Sequence, residues 1–285
     1  KKEKVRQNRG IHLIASENVA SPAVLECLGS CLTNKYAEGG VGKRYYAGNE
    51  YIDEIENLAM KRTLEAFNLN KEQWDVNLQP YSGSNANMAV MTGMLNPGDR
   101  IMGLSLKSGG HLSHGHYIKD KKVSGSSIYF ESMSYDVNQD GYIDYDNLYN
   151  LAKHFKPRLL ICGYSAYSRD LEYHKFRKIA NMNHSLLLCD MSHYSGFVAS
   201  GLMKSPFDWC DIVTSTTHKT LGGPRAGMIF SKKENSKNVN FGVFPALQGG
   251  PHENQIAAIG TQMKYVKSVT FKNYMVQVLK NSRAL

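Results

Sequence analysis

Between residues 100 and 231 the chain repeats one pattern, a short and largely apolar run closed by Gly, Ser or Asp and followed by a longer stretch with helical spacing. The short runs Arg100–Leu106, Ser127–Phe130, Arg158–Gly163, Ser185–Asp190, Asp211–Thr216 and Gly227–Ser231 predict strands. Tyr51–Phe67, Ala86–Leu95, Asp144–His154 and Leu171–Met182 predict helices, the first with Ile52, Ile55, Ala59 and Ala66 on one face. Asn96-Pro97-Gly98-Asp99 predicts a turn from helix to strand. Strand and helix in alternation predict an α/β fold, an open and mostly parallel sheet covered by helices on both faces. Such sheets bind ligands beyond the carboxyl ends of their strands, where Asp190 and Thr216–Lys219 fall. Residues 1–50 read as an extended arm, rich in Gly and Tyr from Tyr36 onward, 51–258 as the large domain, and Gly260–Leu285 as one long basic helix.

Composition narrows the function classes. The 285 residues are 42% hydrophobic, enough for an ordinary globular core. No stretch approaches the roughly 20 apolar residues of a membrane span, and the start lacks the apolar core of a signal peptide. The formal charge of +9 sits at the two ends: residues 1–10 carry +4, residues 232–285 carry +6, and the body between them carries −1. A neutral body argues against nucleic acid as the primary partner. The five cysteines, at 27, 31, 162, 189 and 210, show neither Cys-x-x-Cys nor a zinc spacing, so no metal site is expected. Cys162 and Cys189 lie inside apolar runs, as small core residues do, which points to a reducing compartment.

Five segments carry residue types suited to chemistry. Lys219, in Ser215-Thr216-Thr217-His218-Lys219-Thr220 before a glycine turn, is placed to form a Schiff base if partly desolvated, or is a surface lysine in a loop. Asp190, directly after Leu186–Cys189, is placed to pair with a protonated ring nitrogen, or caps a helix. Tyr81-Ser82-Gly83-Ser84 offers free N–H groups at a helix N-terminus, which suits a phosphate, or is an ordinary cap. Ser108–Gly115 places His111 among glycines, where it can stack on a flat ring or belong to a flexible loop. Glu38, between Tyr36 and Lys43–Gly48, is a candidate acid or base. No Walker lysine loop or dinucleotide fingerprint is present.

These segments together resemble the serine hydroxymethyltransferases, pyridoxal-phosphate enzymes of the aspartate-aminotransferase-like fold, fold type I. Ile14–Asn18, Asn34–Gly48, Ser82–Ser84, Gly109–Leu112, Ser165–Tyr167, Asp190–His193, Thr216–Lys219 and Gln248–His252 follow the family's motifs in the family's order. The resemblance implies that Lys219 carries the cofactor as a Schiff base and that Asp190 pairs with its pyridine nitrogen. It implies that His111 stacks on the ring, that Ser165, His193 and His218 surround it, and that Ser82, Gly83 and Ser84 hold the phosphate. Tyr36, Gly249 and Gly250 are then expected to reach the phosphate of a neighbouring protomer, making a homodimer the minimal active unit.

The implied reaction interconverts L-serine and glycine, passing the one-carbon unit to tetrahydrofolate, whose polyglutamate tail would use basic surface. Glu38, Tyr46, Thr216 and His111 join Lys219 in the implied catalytic set. Ser16 is carried over as a contact to the substrate carboxylate, and Tyr45, Leu106, Gly110 and Leu112 line the substrate and folate side. The family's small C-terminal domain, with its carboxylate-clamping arginine, would lie beyond Leu285, so this chain by itself is expected to turn over little. Gly40-Val41 stand where the family has Tyr-Pro, Gly222 where it has arginine, and Ser108 where it has histidine. Those departures keep open a related aldol-type enzyme such as a threonine aldolase, or a non-catalytic homologue. Family members occur in the cytosol and in organelles, which implies a cytoplasmic or mitochondrial protein.

Overall fold

A computed structural model describes residues 1–119 and 121–285. In chain order it contains helices α1 (Lys2–Arg9) and α2 (Pro22–Leu28), the two-residue strands β1 (Gly39–Gly40) and β2 (Lys43–Arg44), α3 (Glu50–Ala66), β3 (Trp74–Asn77), α4 (Gly83–Met94) and β4 (Arg100–Leu104). The hairpin β5 (Tyr117–Ile118) and β6 (Lys121–Lys122), α5 (Gly125–Tyr129), β7 (Glu131–Tyr135), α6 (Tyr145–Phe155), β8 (Leu159–Gly163), α7 (Tyr173–Asn183) and β9 (Leu186–Asp190) follow. The last elements are α8 (Ser195–Ala199), β10 (Ile212–Thr216), β11 (Gly227–Lys232), α9 (Lys233–Val243), α10 (Glu253–Val266) and α11 (Val269–Ala284).

Seven strands form one sheet in the order β3-β11-β10-β9-β8-β4-β7. The neighbours from β10 to β7 pair in parallel, and β11 is antiparallel to both β10 and β3, so the mostly parallel α/β sheet predicted from the alternation is present. Period-two alternation divides the central strands between two cores. Leu160, Cys162, Leu187 and Cys189 face the larger core, with Phe176, Ile259 and Phe271 from α7, α10 and α11. Leu159, Ile161 and Leu188 face the smaller one, with Val90 and Met91 of α4 and Val239 of α9. Both faces are therefore dry, and burying each large apolar side chain contributes about 1.5–3 kcal/mol.

Three readings of the sequence are corrected. Ser127–Phe130 is not a strand: Ser124 accepts a hydrogen bond from the Ser127 N–H at 3.2 Å and starts the short helix α5. The strand begins at Glu131, whose segment is too polar on its open side to show as an apolar run. Gly260–Leu285 is not one helix, because Ser268 caps a new one by accepting from the Phe271 N–H at 3.1 Å. The N-terminal 50 residues are helical in part, with Pro22 at the first turn of α2 and Ser21 accepting from Val24. Strand β3 and helix α9 had no place in the sequence reading. On α3, Glu56 is buried beside Ile52 and Ala59, because the side chain of Arg44 reaches it.

Candidate active site

The carboxyl ends of β9 and β10, the N-terminus of α4 and the loop after β4 enclose a cavity of about 470 Å³. Ser16, Ser82, Gly83, Ser84, His111, Ser165, Asp190, His193, Thr216, His218 and Lys219 line it. Eleven residues singled out from the sequence thus meet in one place, although they span 203 positions. The volume suits a small-molecule cofactor site.

Asp190 ends β9 at the carboxyl edge of the sheet and is 6% exposed. Oδ2 accepts from Asn87 Nδ2 at 2.8 Å and faces His114 Nε2 at 3.0 Å. Oδ1 accepts from the Ser192 hydroxyl at 2.6 Å and the Ser192 N–H at 3.1 Å. Burial opposes ionisation, yet these donors, His114 foremost, hold the carboxyl well below the usual range. With four donors in place, a ring N–H can only share an oxygen with one of them. Asn87 is itself fixed, since its Oδ1 accepts from the Thr214 hydroxyl at 2.6 Å.

Lys219 follows β10 in a tight turn and is 9% exposed. Its carbonyl accepts from Asn18 Nδ2 at 2.8 Å and from the Gly222 N–H at 3.0 Å. Burial lowers the ammonium pKa; the charge of Asp190 opposes that shift, and Arg225 adds to it. Gly222 lies in the left-handed region at φ 69°, facing Asn18 and Gln262, so the turn favours glycine there. His193 and His218 are each held down to about 4, by burial first and then by neighbouring cations: Lys219 for His193, Arg225 and Lys219 for His218. Burial also lowers His111, whose Nδ1 accepts from the Ser113 N–H at 3.2 Å.

Helix α4 starts at Gly83, leaving its first N–H groups and positive dipole end at the cavity. Ser82 does not cap it; its hydroxyl donates to Asn85 Oδ1 at 2.6 Å. A Cβ on Gly83 would lie 2.7 Å from Thr216 Cγ2, so glycine lets the helix end approach β10. Thr216 Oγ1 and His218 Nδ1 are buried without a hydrogen-bond partner among the described residues. A free helix end, an amine held below its usual pKa, a fixed carboxylate and orphaned polar atoms fit an aromatic aldehyde phosphate with a basic ring nitrogen.

The remaining candidates lie outside this cavity. Tyr36, Glu38, Gly249 and Gly250 form a second cluster, a Cβ on Gly249 falling 3.2 Å from Glu38 Oε1 and one on Gly250 3.2 Å from the Tyr36 ring. Tyr46 packs edge-on against Tyr36 and Tyr45 against Phe244, and Tyr36, Tyr45 and Tyr46 are exposed. Tyr81 bridges the two groups, since it precedes the α4 N-terminus and donates to the Gly250 carbonyl at 2.7 Å. Leu106 and Leu112 are exposed, and Gly110 is buried against Leu104.

Sequence reasoning gave no role to Asn87, His114, Ser192, Tyr164 or Arg225, all of which line the cavity or hold Asp190. His114 and Ser192 stand inside Ser108–Gly115 and Asp190–His193, three and two positions from His111 and Asp190, and Arg225 follows Lys219 by six. Asn87 gave no signal, being one more polar residue of a helix.

Among the described residues no helix is long and apolar enough to cross a membrane. The family model of serine hydroxymethyltransferase matches residues 1–285. The chain is 55% identical to a serine hydroxymethyltransferase of Bombyx mori and 56% identical to serine hydroxymethyltransferase 4 of Arabidopsis thaliana, in each case over all of this chain and 64% of the relative. It is 53% identical to the cytosolic serine hydroxymethyltransferase of Oryctolagus cuniculus, over all of this chain and 62% of that protein. The chain thus spans just under two thirds of the length of these relatives. With the family match running over every residue that builds the cavity, the chain belongs to the serine hydroxymethyltransferase family.

Proposed function

We propose that the protein is a pyridoxal-phosphate enzyme that interconverts L-serine and glycine and passes the one-carbon unit to tetrahydrofolate, working as a homodimer or larger homo-oligomer. The observation that carries this reading is the meeting of Lys219, Asp190 and the α4 N-terminus on one cavity. Pyridoxal phosphate supplies, when bound, the electron sink that breaking a bond at the substrate Cα requires.

The chain's own residues do the rest. Lys219, its ammonium destabilised by burial, offers an amine to a carbonyl and can take back a proton. Asp190 keeps a proton on a ring nitrogen because its carboxyl stays ionised. Ser82, Gly83 and Ser84 hold a phosphate with N–H groups and hydroxyls. His111 covers the ring, while Ser165, His193, Thr216 and His218 border it, the two histidines neutral as acceptors at physiological pH. Ser16 meets the substrate carboxylate.

Glu38 moves a proton near the hydroxymethyl group, with Tyr45 and Tyr46 beside it and Leu106, Gly110 and Leu112 towards the folate. The position of Tyr36, Glu38, Gly249 and Gly250 outside the chain's own cavity supports a site completed by a second protomer. Five free cysteines, three of them buried, support a reducing compartment, and we place the protein in the cytosol or the mitochondrion.

The test uses the full-length protein loaded with pyridoxal phosphate. Glycine should form from serine only when tetrahydrofolate is present, and borohydride should trap the cofactor on Lys219. Trapping that survives Lys219→Ala, or cleavage of threonine but not serine, would overturn the assignment.

A further inference from the structure

Three of the five cysteines meet in the larger core behind the candidate active site. Cys162 of β8 and Cys189 of β9 are partners in the parallel ladder, and Cys210 lies just before β10. All three are 0% exposed, and their sulfur atoms lie within 4.8 Å of one another. Cys162 Sγ and Cys210 Sγ are 4.0 Å apart.

Core packing alone would bury the three thiols, but two observations point to a ligand. A planar three-coordinate ion with metal–sulfur bonds of about 2.3 Å needs sulfur atoms about 4.0 Å apart; the Cys162–Cys210 pair has that spacing and all three sulfur atoms lie within 4.8 Å of one another. The second observation is a hydroxyl beside sulfur. Tyr194 Oη, which accepts from Tyr173 at 3.2 Å, lies 3.2 Å from Cys189 Sγ. Once the sulfur is a thiolate, the form that binds metal, that hydroxyl is placed to donate to it. We propose that Cys162, Cys189 and Cys210 form a buried three-sulfur site for a soft monovalent ion of the copper(I) type.

Copper(I) suits this donor set better than zinc. Soft thiolates select it, and it accepts three ligands, whereas zinc takes a fourth nitrogen, sulfur or oxygen ligand. Among the described residues no histidine or carboxylate joins the cluster, and Tyr194 Oη is already engaged. Each sulfur that binds as thiolate breaks its S–H bond and gives the proton to solvent, so affinity rises with pH. With no exposed sulfur, the ion enters as the chain folds or through local opening. Asp190 directly follows Cys189, and Ser165 is three residues after Cys162, so an ion here sits behind the carboxyl ends of β8 and β9, next to the cavity they reach.

The experiment produces full-length protein in copper-supplemented medium, in a Cys27→Ser/Cys31→Ser background that removes the two cysteines outside the cluster. One copper per chain should survive a chelator wash, and X-ray absorption should show three sulfur neighbours at about 2.3 Å. Cys162→Val and Cys210→Ala, checked for folding by circular dichroism, should each lower copper affinity at least tenfold. Zinc should bind at least tenfold more weakly than copper. No retained copper, retention unchanged in both folded variants, or zinc binding the tighter would each overturn the proposal. If neither variant folds, the sulfur count around copper in the parent protein decides it, with fewer than three sulfur neighbours sinking the site.

Discussion

Asn18 and Lys219, 201 positions apart, are joined by a hydrogen bond of 2.8 Å from the Asn18 amide to the Lys219 carbonyl. The contact ties the N-terminal segment to the turn that presents the amine, so the arm is part of the site's support. Asn18→Ala should cost only about 0.5–1.5 kcal/mol in urea unfolding, because the Gly222 N–H still satisfies that carbonyl. Turnover should fall further than this loss of stability explains, since the change loosens the lysine turn. Unchanged kcat would show that the turn holds itself.

His114→Ala removes the neighbour that does most to keep the Asp190 carboxyl ionised and leaves Oδ2 with Asn87 alone. A loss of about 1–3 kcal/mol in stability is expected for a buried, partly unsatisfied carboxylate. Pyridoxal phosphate affinity, read by fluorescence titration, should fall about tenfold, as a carboxylate that ionises less readily holds a ring proton less well.

Gly83→Ala sets helix propensity, which favours alanine by about 1 kcal/mol, against a Cβ only 2.7 Å from Thr216 Cγ2. Overpacking of that kind costs about 1–3 kcal/mol. The helix end should therefore move away from β10, and affinity for the phosphate of the cofactor should drop more than tenfold. Equal affinity for pyridoxal, which lacks the phosphate, would confirm that the loss is at the cradle.

Glu253, 1% exposed, has no hydrogen-bond partner for either carboxylate oxygen among the described residues and faces Glu56, Asp53 and Arg44. Burial, then Glu56, pushes its pKa up to about 8 from an ordinary 4.5, against the pull of Arg44. In this window the folded state binds more protons than the unfolded one. The group's contribution is therefore complete below pH 4.5 and is lost as pH rises to about 8. Glu253→Gln should flatten that decline, which amounts to at most about 1.4 kcal/mol per pH unit, and so should be the more stable protein at pH 8. A parallel stability profile for the two proteins would refute the assignment.

His193 and His218 act at the other end of the scale. Their folded pKa values of about 4 lie below the ordinary 6.5, so the unfolded chain binds the extra protons. Stability they contribute is present above pH 6.5 and lost as pH falls towards 4. The double variant His193→Gln/His218→Gln should unfold over a less steep acid transition, followed by circular dichroism.

The sequence by itself determined the layered parallel sheet and most of the cavity. Apolar runs of five or six residues must be buried on both faces, and polar residues that end such runs must sit at the sheet's edge. Asp190 and Lys219 were legible for that reason, Ser82–Ser84 as hydroxyls and a glycine at a helix N-terminus, and the motif order named the family. Local pattern failed where polar residues make structure, as at Ser124 and Ser268, whose side chains start helices that an apolar count does not see. Only the tertiary structure decided which residues hold Asp190, because Asn87 and His114 reach it from 103 and 76 positions away. It alone put Tyr36, Glu38, Gly249 and Gly250 together outside the chain's own cavity, and gathered three cysteines whose spacing along the chain carries no motif. Such pairings follow from strand order and register, which put distant residues at bonding distance and leave no trace in local sequence.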